Sequence, residues 1–485
     1  MAHGTPGTSP IPRTRTMAHG TPGTSPIPRT RTMAHGTPGT SPPPLKGDKR
    51  TIRGWTMYDW ANSVYSLTIT SAVFPVFYMA VTHDAAGNDL VAREHGLPAE
   101  SLYSYALSAG FLVVALIAPL LSGIADHTGT KKRFLQLFCY VGALSCAALA
   151  FFSMAHIWVG LFCVMMACVG FSGSLVFYDA FLPEIAAPGD HDRISARGYI
   201  MGYIGSMILL VINLLMVMRP GWFGIPDVNG LPARLTFITV ALWWAGFAQF
   251  AFRVLPNGTV RRAPGRVVFN GYMELRKVWR ELHRTRRLKR FLRAFFVLNM
   301  GIQTVMYLAV TFAKAEVKQL APDGTVAPIS DAALITSILL IQVLAAIGAF
   351  LFVHLSRRFG NVQALMIGCT VWVLLVVAAY RVQWAHEFYM LACGVGLVMG
   401  GSQAISRSTY AKFLPTTTDH ASYFSFYDVS YYIGTVLGTF AFGLVAQITG
   451  DLRDAVIIIG GFFVAGWVLL SMVPAKEVPL VAAGE

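Results

Sequence analysis

Charged residues are scarce in this sequence. Only 13% of its 485 residues are Asp, Glu, Lys or Arg, whereas 55% are hydrophobic, and a soluble protein carries about 25% charged residues. The alternating apolar segments of ~10 residues that build membrane barrels are also absent. Apolar runs of about 20 residues recur instead, and each is long enough to cross a bilayer as a helix. The composition therefore excludes a soluble protein and predicts an all-α membrane protein.

The sequence also lacks the patterns of an enzyme. Its six cysteines all fall inside apolar runs and form neither a CxxC pair nor a cluster with histidine. We interpret them as small residues of the membrane core, and we expect no metal site and no disulfide. No glycine-rich phosphate loop and no nucleophile with a matching base is present. We therefore expect no catalytic activity, no cofactor and no drive from ATP.

Twelve apolar spans fall into two sets of six, which predicts two bundles of six transmembrane helices. Their predicted limits are 56–81, 102–124, 134–154, 157–182, 198–218, 234–255, 291–313, 332–355, 362–380, 387–413, 421–447 and 454–474. The predicted domains are a tail at 1–53, a bundle at 54–255, a basic linker at 256–290, a bundle at 291–474 and a tail at 475–485. In the first tail, residues 1–16 recur verbatim at 17–32, and this Pro-, Gly- and Thr-rich composition predicts disorder.

Short internal matches support a duplication of the six-span unit. Tyr178–Pro183 resembles Tyr410–Pro415 at an offset of 232 residues, and Asp190-His191 recurs as Asp419-His420 at an offset of 229. The matches lie at the ends of spans 4 and 10 and at the starts of spans 5 and 11, as a duplication requires. The sequence therefore predicts two pseudo-symmetric halves.

Basic residues are distributed unevenly between the two faces of the predicted membrane domain. With the amino terminus inside, 31 of the 38 Lys and Arg residues lie on the inner side and 7 on the outer side. Positive charge favours the cytosolic side, so we expect both termini in the cytosol. The net charge of +14 is then a topology signal and a contact with anionic lipids, and we expect no nucleic-acid partner.

The linker between the halves has an amphipathic helical pattern. Apolar residues recur at helical spacing among basic residues, which predicts a helix on the inner membrane surface; the alternative is a solvated linker. The apolar positions are Val268, Tyr272, Leu275, Trp279 and Leu282.

Four ionisable residues lie within predicted spans, where charge is costly and indicates function. They are Asp59, Asp179, Arg407 and Asp428, all near the inner ends of their spans. One interpretation has Arg407 binding a substrate carboxylate through its planar fork, while Asp59 or Asp428 receives an ammonium group or a proton. The other is an inner gate in which Arg407 pairs with Asp428, and Asp59 lies near Asp179.

The loop after span 2 combines Asp126, a turn glycine and the basic residues Lys131 and Arg133. This pattern predicts a cytosolic latch in which Asp126 bonds Arg133 or the amino end of a neighbouring helix. The loop is similar to the loop between helices 2 and 3 of the major facilitator superfamily. Its second-half counterpart has Arg357 where the Asp belongs, so we expect a latch on one side only.

Three further strings narrow the resemblance: WTMYDWANS at 55–63, YDAFLPE at 178–184 and GGSQAISRS at 400–408. Together they resemble the vacuolar amino-acid effluxer branch of that superfamily and its bacterial members. The resemblance implies a monomeric carrier in a bacterial cytoplasmic membrane that moves a small polar solute, such as an amino acid, by alternating access. Because no nucleotide site is present, we expect protons to be the coupling ion. The alternatives are a non-transporting transceptor or scaffold, and a drug or lipid efflux carrier.

Uncharged polar residues deeper in the spans are candidates for binding the solute. In the superfamily, helices 1, 4, 7 and 10 line the central cavity, and three of these spans carry such residues. The alternative is hydrogen bonding between helices. The candidates are Asn62 and Tyr65 on span 1, Gln303 and Thr304 on span 7, and Gln403 beside Arg407 on span 10.

Overall fold

The computed structural model describes residues 46–84, 86, 88–258, 267–320 and 324–476. These residues include twelve helices that are long and apolar enough to cross a membrane, the number that the sequence predicts. The repeats at 1–42 lie outside the described residues, as does most of the predicted carboxyl-terminal tail.

The spans are numbered in chain order. The first six are Lys49–Thr82, Ala99–Thr128, Lys131–Phe151, Met154–Ile185, Pro188–Met218 and Leu231–Val254. The second six are Arg286–Glu316, Asp331–Phe359, Asn361–Arg381, Ala385–Phe413, His420–Thr449 and Leu452–Ser471.

Several helices begin earlier than the hydropathy pattern predicts. Span 1 starts at Lys49, inside the segment expected to be a disordered tail, because Asp48 caps it by accepting a bond from the Thr51 amide. The α-helix of span 5 starts at His191 and span 7 at Arg286. Their first turns are polar, so they extend beyond the apolar core that sequence alone delimits.

Span 1 changes helix type in its middle. It is α-helical over Lys49–Val64, π-helical over Tyr65–Ala72 and α-helical again over Val73–Thr82. Serine hydroxyls bond backbone carbonyls along this stretch, from Ser66 to Ser63 and from Ser71 to Ser66. Because π-helical turns are often found at functional sites, the middle of span 1 is a candidate functional segment.

Shorter elements complete the fold. They are the α-helices Leu90–His95, Leu182–Ile185 and Val267–Arg284, the 3-10 turns Leu149–Phe151, Met154–His156, Pro188–Asp190 and Pro220–Phe223, and an antiparallel hairpin of β1 (Lys318–Leu320) and β2 (Val326–Pro328). Val267–Arg284, here called the linker helix, joins the two bundles. Its position in the sequence agrees with the predicted amphipathic segment.

Small residues allow the helices of each bundle to pack closely. A Cβ on Gly170 of span 4 would lie 2.3 Å from the Gly142 backbone of span 3, and one on Gly400 of span 10 would lie 2.0 Å from the Ala345 carbonyl oxygen of span 8. Lipid gives helices no hydrophobic reason to associate, so such van der Waals contact is a main source of their affinity.

The two bundles are joined on one side of the membrane domain. We call the face that carries Lys49 and Ser471 the terminal face. Among the described residues, the hydrogen bonds between bundles lie at this face or near mid-membrane, whereas Arg234 and Arg453 near the opposite face bond within their own bundles. The terminal face is therefore closed.

Candidate substrate and gating site

Arg407 lies at the centre of the contact between the bundles. It is carried by span 10, and only 1% of its surface is exposed. Its Nη1 donates to Asp179 Oδ1 at 3.0 Å, and its Nη2 donates to Asp59 Oδ2 at 3.3 Å. One guanidinium of the second bundle thus pairs with two carboxylates of the first, on spans 4 and 1.

Span 5 occupies the remaining side of the guanidinium. Arg407 Nε donates to Ser195 Oγ at 2.9 Å and Nη2 donates to the Ser195 carbonyl oxygen at 2.8 Å. Gly198 leaves room for this arrangement, since a Cβ there would lie 2.2 Å from Asp59 Oδ2. The Tyr178 hydroxyl also donates to Asp59 Oδ2, at 2.7 Å.

Aromatic rings enclose the same group. The Arg407 guanidinium carbon lies 4.2 Å from the ring centre of Tyr199, 4.9 Å from that of Trp55 and 5.6 Å from that of Tyr178. Ring faces attract cations, and they exclude water from the ion pairs. We call Arg407, Asp59, Asp179, Ser195 and these rings the arginine cluster.

The predicted pair between Arg407 and Asp428 is wrong. Spans 1, 4 and 5 already fill the fork of Arg407, so span 11 does not supply a partner. The other part of that interpretation, Asp59 near Asp179, agrees with the structure, because both contact the same guanidinium. Asp59 also lies deeper than its predicted span suggests, ~15 Å along the helix from Lys49, because span 1 begins earlier.

Asp428 is buried beside the arginine cluster without a partner for one of its oxygens. It is 4% exposed, and its Oδ2 has no hydrogen-bond partner. The charges that act on it are those of Asp179 and Arg407. We call Arg407, Asp59, Asp179 and Asp428 the buried group. It therefore contains three carboxyl groups and one guanidinium.

Gln403 also reaches across to the other bundle. It accepts a hydrogen bond from the Tyr203 hydroxyl of span 5 at 2.7 Å and donates to Met306 Sδ of span 7 at 3.3 Å. Met306 is 40% exposed, so this contact is not fully enclosed. Gln403 thus lies where a solute could contact both halves.

The other predicted binding residues lie within their own bundles. Gln303 donates to Asn299, and Thr304 donates to the carbonyl oxygen of Met300, both along span 7. The Tyr65 ring packs against Phe171 and Trp244 of the first bundle. Asn62 is buried, and its Nδ2 has no hydrogen-bond partner.

Asp126 fastens span 2 to the amino end of span 11. Its oxygens accept bonds from the amides of Ala421 at 3.3 Å and Ser422 at 2.7 Å, where the helix dipole favours a negative charge. This is the second of the two predicted arrangements, and Arg133 is exposed instead. Lys131 lies 3.8 Å from Asp126 and forms an ion pair with Glu184.

A second latch exists, and the prediction of a latch on one side only is wrong. Asp192, in the first turn of span 5, reaches spans 8, 9 and 10 of the other bundle. Its oxygens accept bonds from Ser408 and Asn361 at 2.7 Å, from Ser356 at 3.1 Å and from Lys412 at 2.5 Å. Sequence reasoning missed Asp192.

The internal repeat explains why the latch carboxylate lies on span 2 in the first latch and on span 5 in the second. At an offset of 229, Asp192 corresponds to Ala421, whose amide bonds Asp126 in the first latch. The second latch therefore joins equivalent helices but carries its carboxylate on the opposite partner. The match between Asp190-His191 and Asp419-His420, which lies next to Asp192, was the signal that could have found it.

The linker helix bridges both bundles at the terminal face. It packs on span 2, where a Cβ on Gly123 would lie 2.4 Å from the Gly271 carbonyl oxygen. Lys277 pairs with Asp419 at 2.8 Å, and Glu281 accepts from the Tyr423 hydroxyl of span 11 at 2.8 Å. The linker helix therefore packs against both bundles and is not a free helix on a membrane surface. Tyr272 and Trp279 are nevertheless about half exposed, at 54% and 50%.

One cluster of metal-ligand type occurs among the described residues, near the opposite face. His83, Asp89 and Glu100 place one ligand atom each within 4.8 Å of one another. Asp89 already accepts bonds from three backbone amides. Asp89 is therefore a structural residue of the loop.

Comparison with known proteins identifies the family. The family profile described as "Vacuole effluxer Atg22 like" matches residues 47–478. The chain belongs to this family. It is 30% identical to the uncharacterized MFS-type transporter YxiO of Bacillus subtilis over 87% of this chain and 94% of that protein. It is 23% identical to autophagy-related protein 22-1 of Phaeosphaeria nodorum, over 88% and 90%.

Solved structures show the same fold for this Atg22-family transporter. The human organic anion transporter MFSD10 matches with a TM-score of 0.66 and 14% identity, over 88% of this chain and 100% of that chain. The transporter FucP in its outward conformation matches with a TM-score of 0.64 and 13% identity, over 88% and 99%. Its family membership, together with this fold, makes the protein a multi-pass transporter of the major facilitator superfamily and not an enzyme.

Proposed function

We propose that this Atg22-family transporter is a secondary active carrier that moves a small polar solute by alternating access. The observation that carries the proposal is the arginine cluster: one buried guanidinium joins span 10 to spans 1, 4 and 5. Alternating access requires that the bundles part at one face while they close at the other. The arginine cluster and the two latches are the contacts that such a motion must break at the terminal face.

Protons are the coupling ion in this proposal. Three carboxyl groups surround a single guanidinium in a site from which water is excluded. A buried charge without a partner is costly, so a proton on one carboxyl group offsets the excess negative charge. Proton binding and release at Asp59, Asp179 or Asp428 would then change how strongly Arg407 holds the bundles together.

The terminal face is the cytosolic face in this proposal, because it carries the excess of Lys and Arg. The closed terminal face supports a conformer that receives solute from the opposite side. A bacterial cytoplasmic membrane and an amino-acid solute are the setting that the family resemblance suggests, and the carrier acts as a monomer.

The alternatives receive less support. Lost charges, such as the latch carboxylate replaced by Arg357, would favour a non-transporting role, but Asp192 supplies a carboxylate at the equivalent contact. The efflux of apolar compounds would use an apolar cavity between the bundles. An apolar cavity does exist, but Thr304, Phe312, Trp372 and Phe442 place it within the second bundle, away from Arg407.

Reconstitution tests the proposal. Purified protein in liposomes with an internal pH-sensitive dye should acidify or alkalinise the lumen when an amino-acid mixture is added outside, and labelled amino acid should exchange across the membrane. Asp59→Asn and Asp179→Asn should reduce both signals at least tenfold.

Asp331→Asn is the matched control, because Asp331 is an exposed residue near the opposite face whose ion-pair partner among the described residues is Lys314. The control should behave as the parent protein. If no solute exchange occurs with amino acids, peptides, sugars or nucleosides while the protein stays folded, the carrier function is refuted.

A further inference from the structure

The carboxylate of Asp428 is distinct from the other acids of the buried group. Asp59 and Asp179 each bond Arg407, whereas Asp428 Oδ2 is buried and has no partner. Buried polar groups nearly always have hydrogen-bond partners. An exception in the contact between two moving bundles indicates a ligand that completes the bond.

Arg407 is not free to bind a solute carboxylate. Four bonds occupy its three nitrogens, two to the carboxylates of spans 1 and 4 and two to Ser195. An incoming anion would have to displace these partners and would add negative charge beside three carboxyl groups. An incoming cation would instead find Asp428 open.

The groups around Asp428 favour a cation. The ring hydroxyls of Tyr431 and Tyr432 on its own helix interact with its charge. Ring faces attract ammonium groups, and tyrosine hydroxyls supply neutral hydrogen bonds. The titratable and charged groups that interact electrostatically with Asp428 are Asp179, Arg407, Tyr410, Tyr427, Tyr431 and Tyr432.

Partly exposed tyrosine rings lie in the contact between the bundles. Tyr199, Tyr203, Tyr307 and Tyr431 are half-buried, and Tyr203 bonds Gln403 beside the 40% exposed side chain of Met306. A solute that bound between the bundles would contact these rings, the amide of Gln403 and the thioether of Met306. This lining suits an apolar or aromatic body on the solute.

We infer that Asp428 binds the ammonium group of the transported solute, so that the carrier selects protonated amines over solutes whose only charge is a carboxylate. The inference rests on the proposed function and names the class of its substrate. It also assigns Arg407 to holding the bundles together and not to the solute. A proton and an ammonium group would occupy Asp428 in competition.

Three probes of one shape test the inference. Phenethylamine, phenylalanine and 3-phenylpropanoate differ only in carrying an ammonium group, both charges or a carboxylate. We expect the full-length protein in lipid nanodiscs to bind phenethylamine at least tenfold more tightly than 3-phenylpropanoate, measured by isothermal titration at neutral pH. Equal binding, or tighter binding of 3-phenylpropanoate, would overturn the inference without any variant.

Variants of Asp428 test whether this carboxylate causes the preference for phenethylamine. Asp428→Asn should remove the preference for phenethylamine, Asp428→Glu should retain part of it, and Asp331→Asn should leave it unchanged. A folded Asp428→Asn protein that keeps the full preference would place the ammonium site elsewhere and sink the assignment. Binding is measured without transport, so this failure is distinguishable from a failure of the proposed function, which is an absence of solute exchange.

Discussion

Replacing Asp192 by Asn should open the terminal face. The carboxylate accepts four bonds from spans 8, 9 and 10, and one of them is an ion pair with Lys412, whose side chain is 22% exposed. An amide keeps one acceptor oxygen but loses the charge and directs a donor at Ser356 or Lys412. Hydrogen bonds to charged groups contribute about 1.5–3 kcal/mol each, so losing two of them weakens the latch by roughly 3 kcal/mol.

The size of the conformational effect follows from this figure. These bonds join the two bundles, so they stabilise only the conformer with a closed terminal face. A loss of ~3 kcal/mol changes the ratio of open to closed conformers roughly 100-fold. A conformer present at about 1% would then become about as populated as the closed one.

Distance measurement between spin labels checks this prediction. Labels at Arg197→Cys on span 5 and Arg358→Cys on span 8, both exposed positions, report the separation of the bundles after the six native cysteines are replaced. We expect a new population at longer distance in the Asp192→Asn protein.

The matched control is Asp190→Asn, because the Asp190 side chain is 47% exposed and its ion-pair partner among the described residues is Arg193 of the same span. It should leave the distances unchanged. If Asp192→Asn gives the same distance distribution as the parent protein, Asp192 does not hold the bundles together and the second latch is refuted.

Three further changes have defined outcomes. Arg407→Lys keeps the charge but loses the fork that pairs two carboxylates; solute exchange should fall at least tenfold, and unchanged exchange would exclude Arg407 from the gate. Gly198→Ala places a Cβ 2.2 Å from Asp59 Oδ2 and should cost about 1–3 kcal/mol of stability in a thermal unfolding assay, whereas Gly246→Ala, which meets no atom within 4 Å, should be neutral. Burial raises the pKa of Asp419, but the hydrogen bonds with Lys277 and Glu274 and the charge of Lys277 together outweigh burial and hold the pKa below its ordinary value, while the bonds to Asp419 and Glu274 raise the pKa of Lys277. The contribution of Asp419 to the docking of the linker helix is present above the pKa that Asp419 has in the unfolded state, and it is lost as pH falls through the lowered pKa of the folded state. The contribution of Lys277 is lost only at strongly alkaline pH. Hydrogen exchange of the linker helix should therefore show constant protection from pH 5 to pH 8, with weaker docking only in stronger acid; loss of protection within that range would contradict the assignment.

The sequence was sufficient for the number of spans and for the charged residues of the arginine cluster. Apolar runs of membrane length give the twelve spans, because a bilayer imposes helix length and saturated backbone bonds on any chain that crosses it. Arg407, Asp59 and Asp179 were detectable for a related reason: a charge inside a span is too costly to persist without a partner or a function. The duplication was visible as short matches at a nearly constant offset.

Partner choice could not be predicted from the sequence. Hydropathy does not reveal that Arg407 turns to spans 1, 4 and 5 and leaves Asp428 unpaired, since that depends on how the bundles meet. The same holds for Asp192, which lies outside the apolar runs and acts only because three helices of the other bundle converge on it. The pattern of apolar runs therefore predicts the number of spans and the charges that lie within them. Which of these charges face one another depends on the packing of the bundles, because pairing requires distances of a few ångströms between helices that are far apart in the chain.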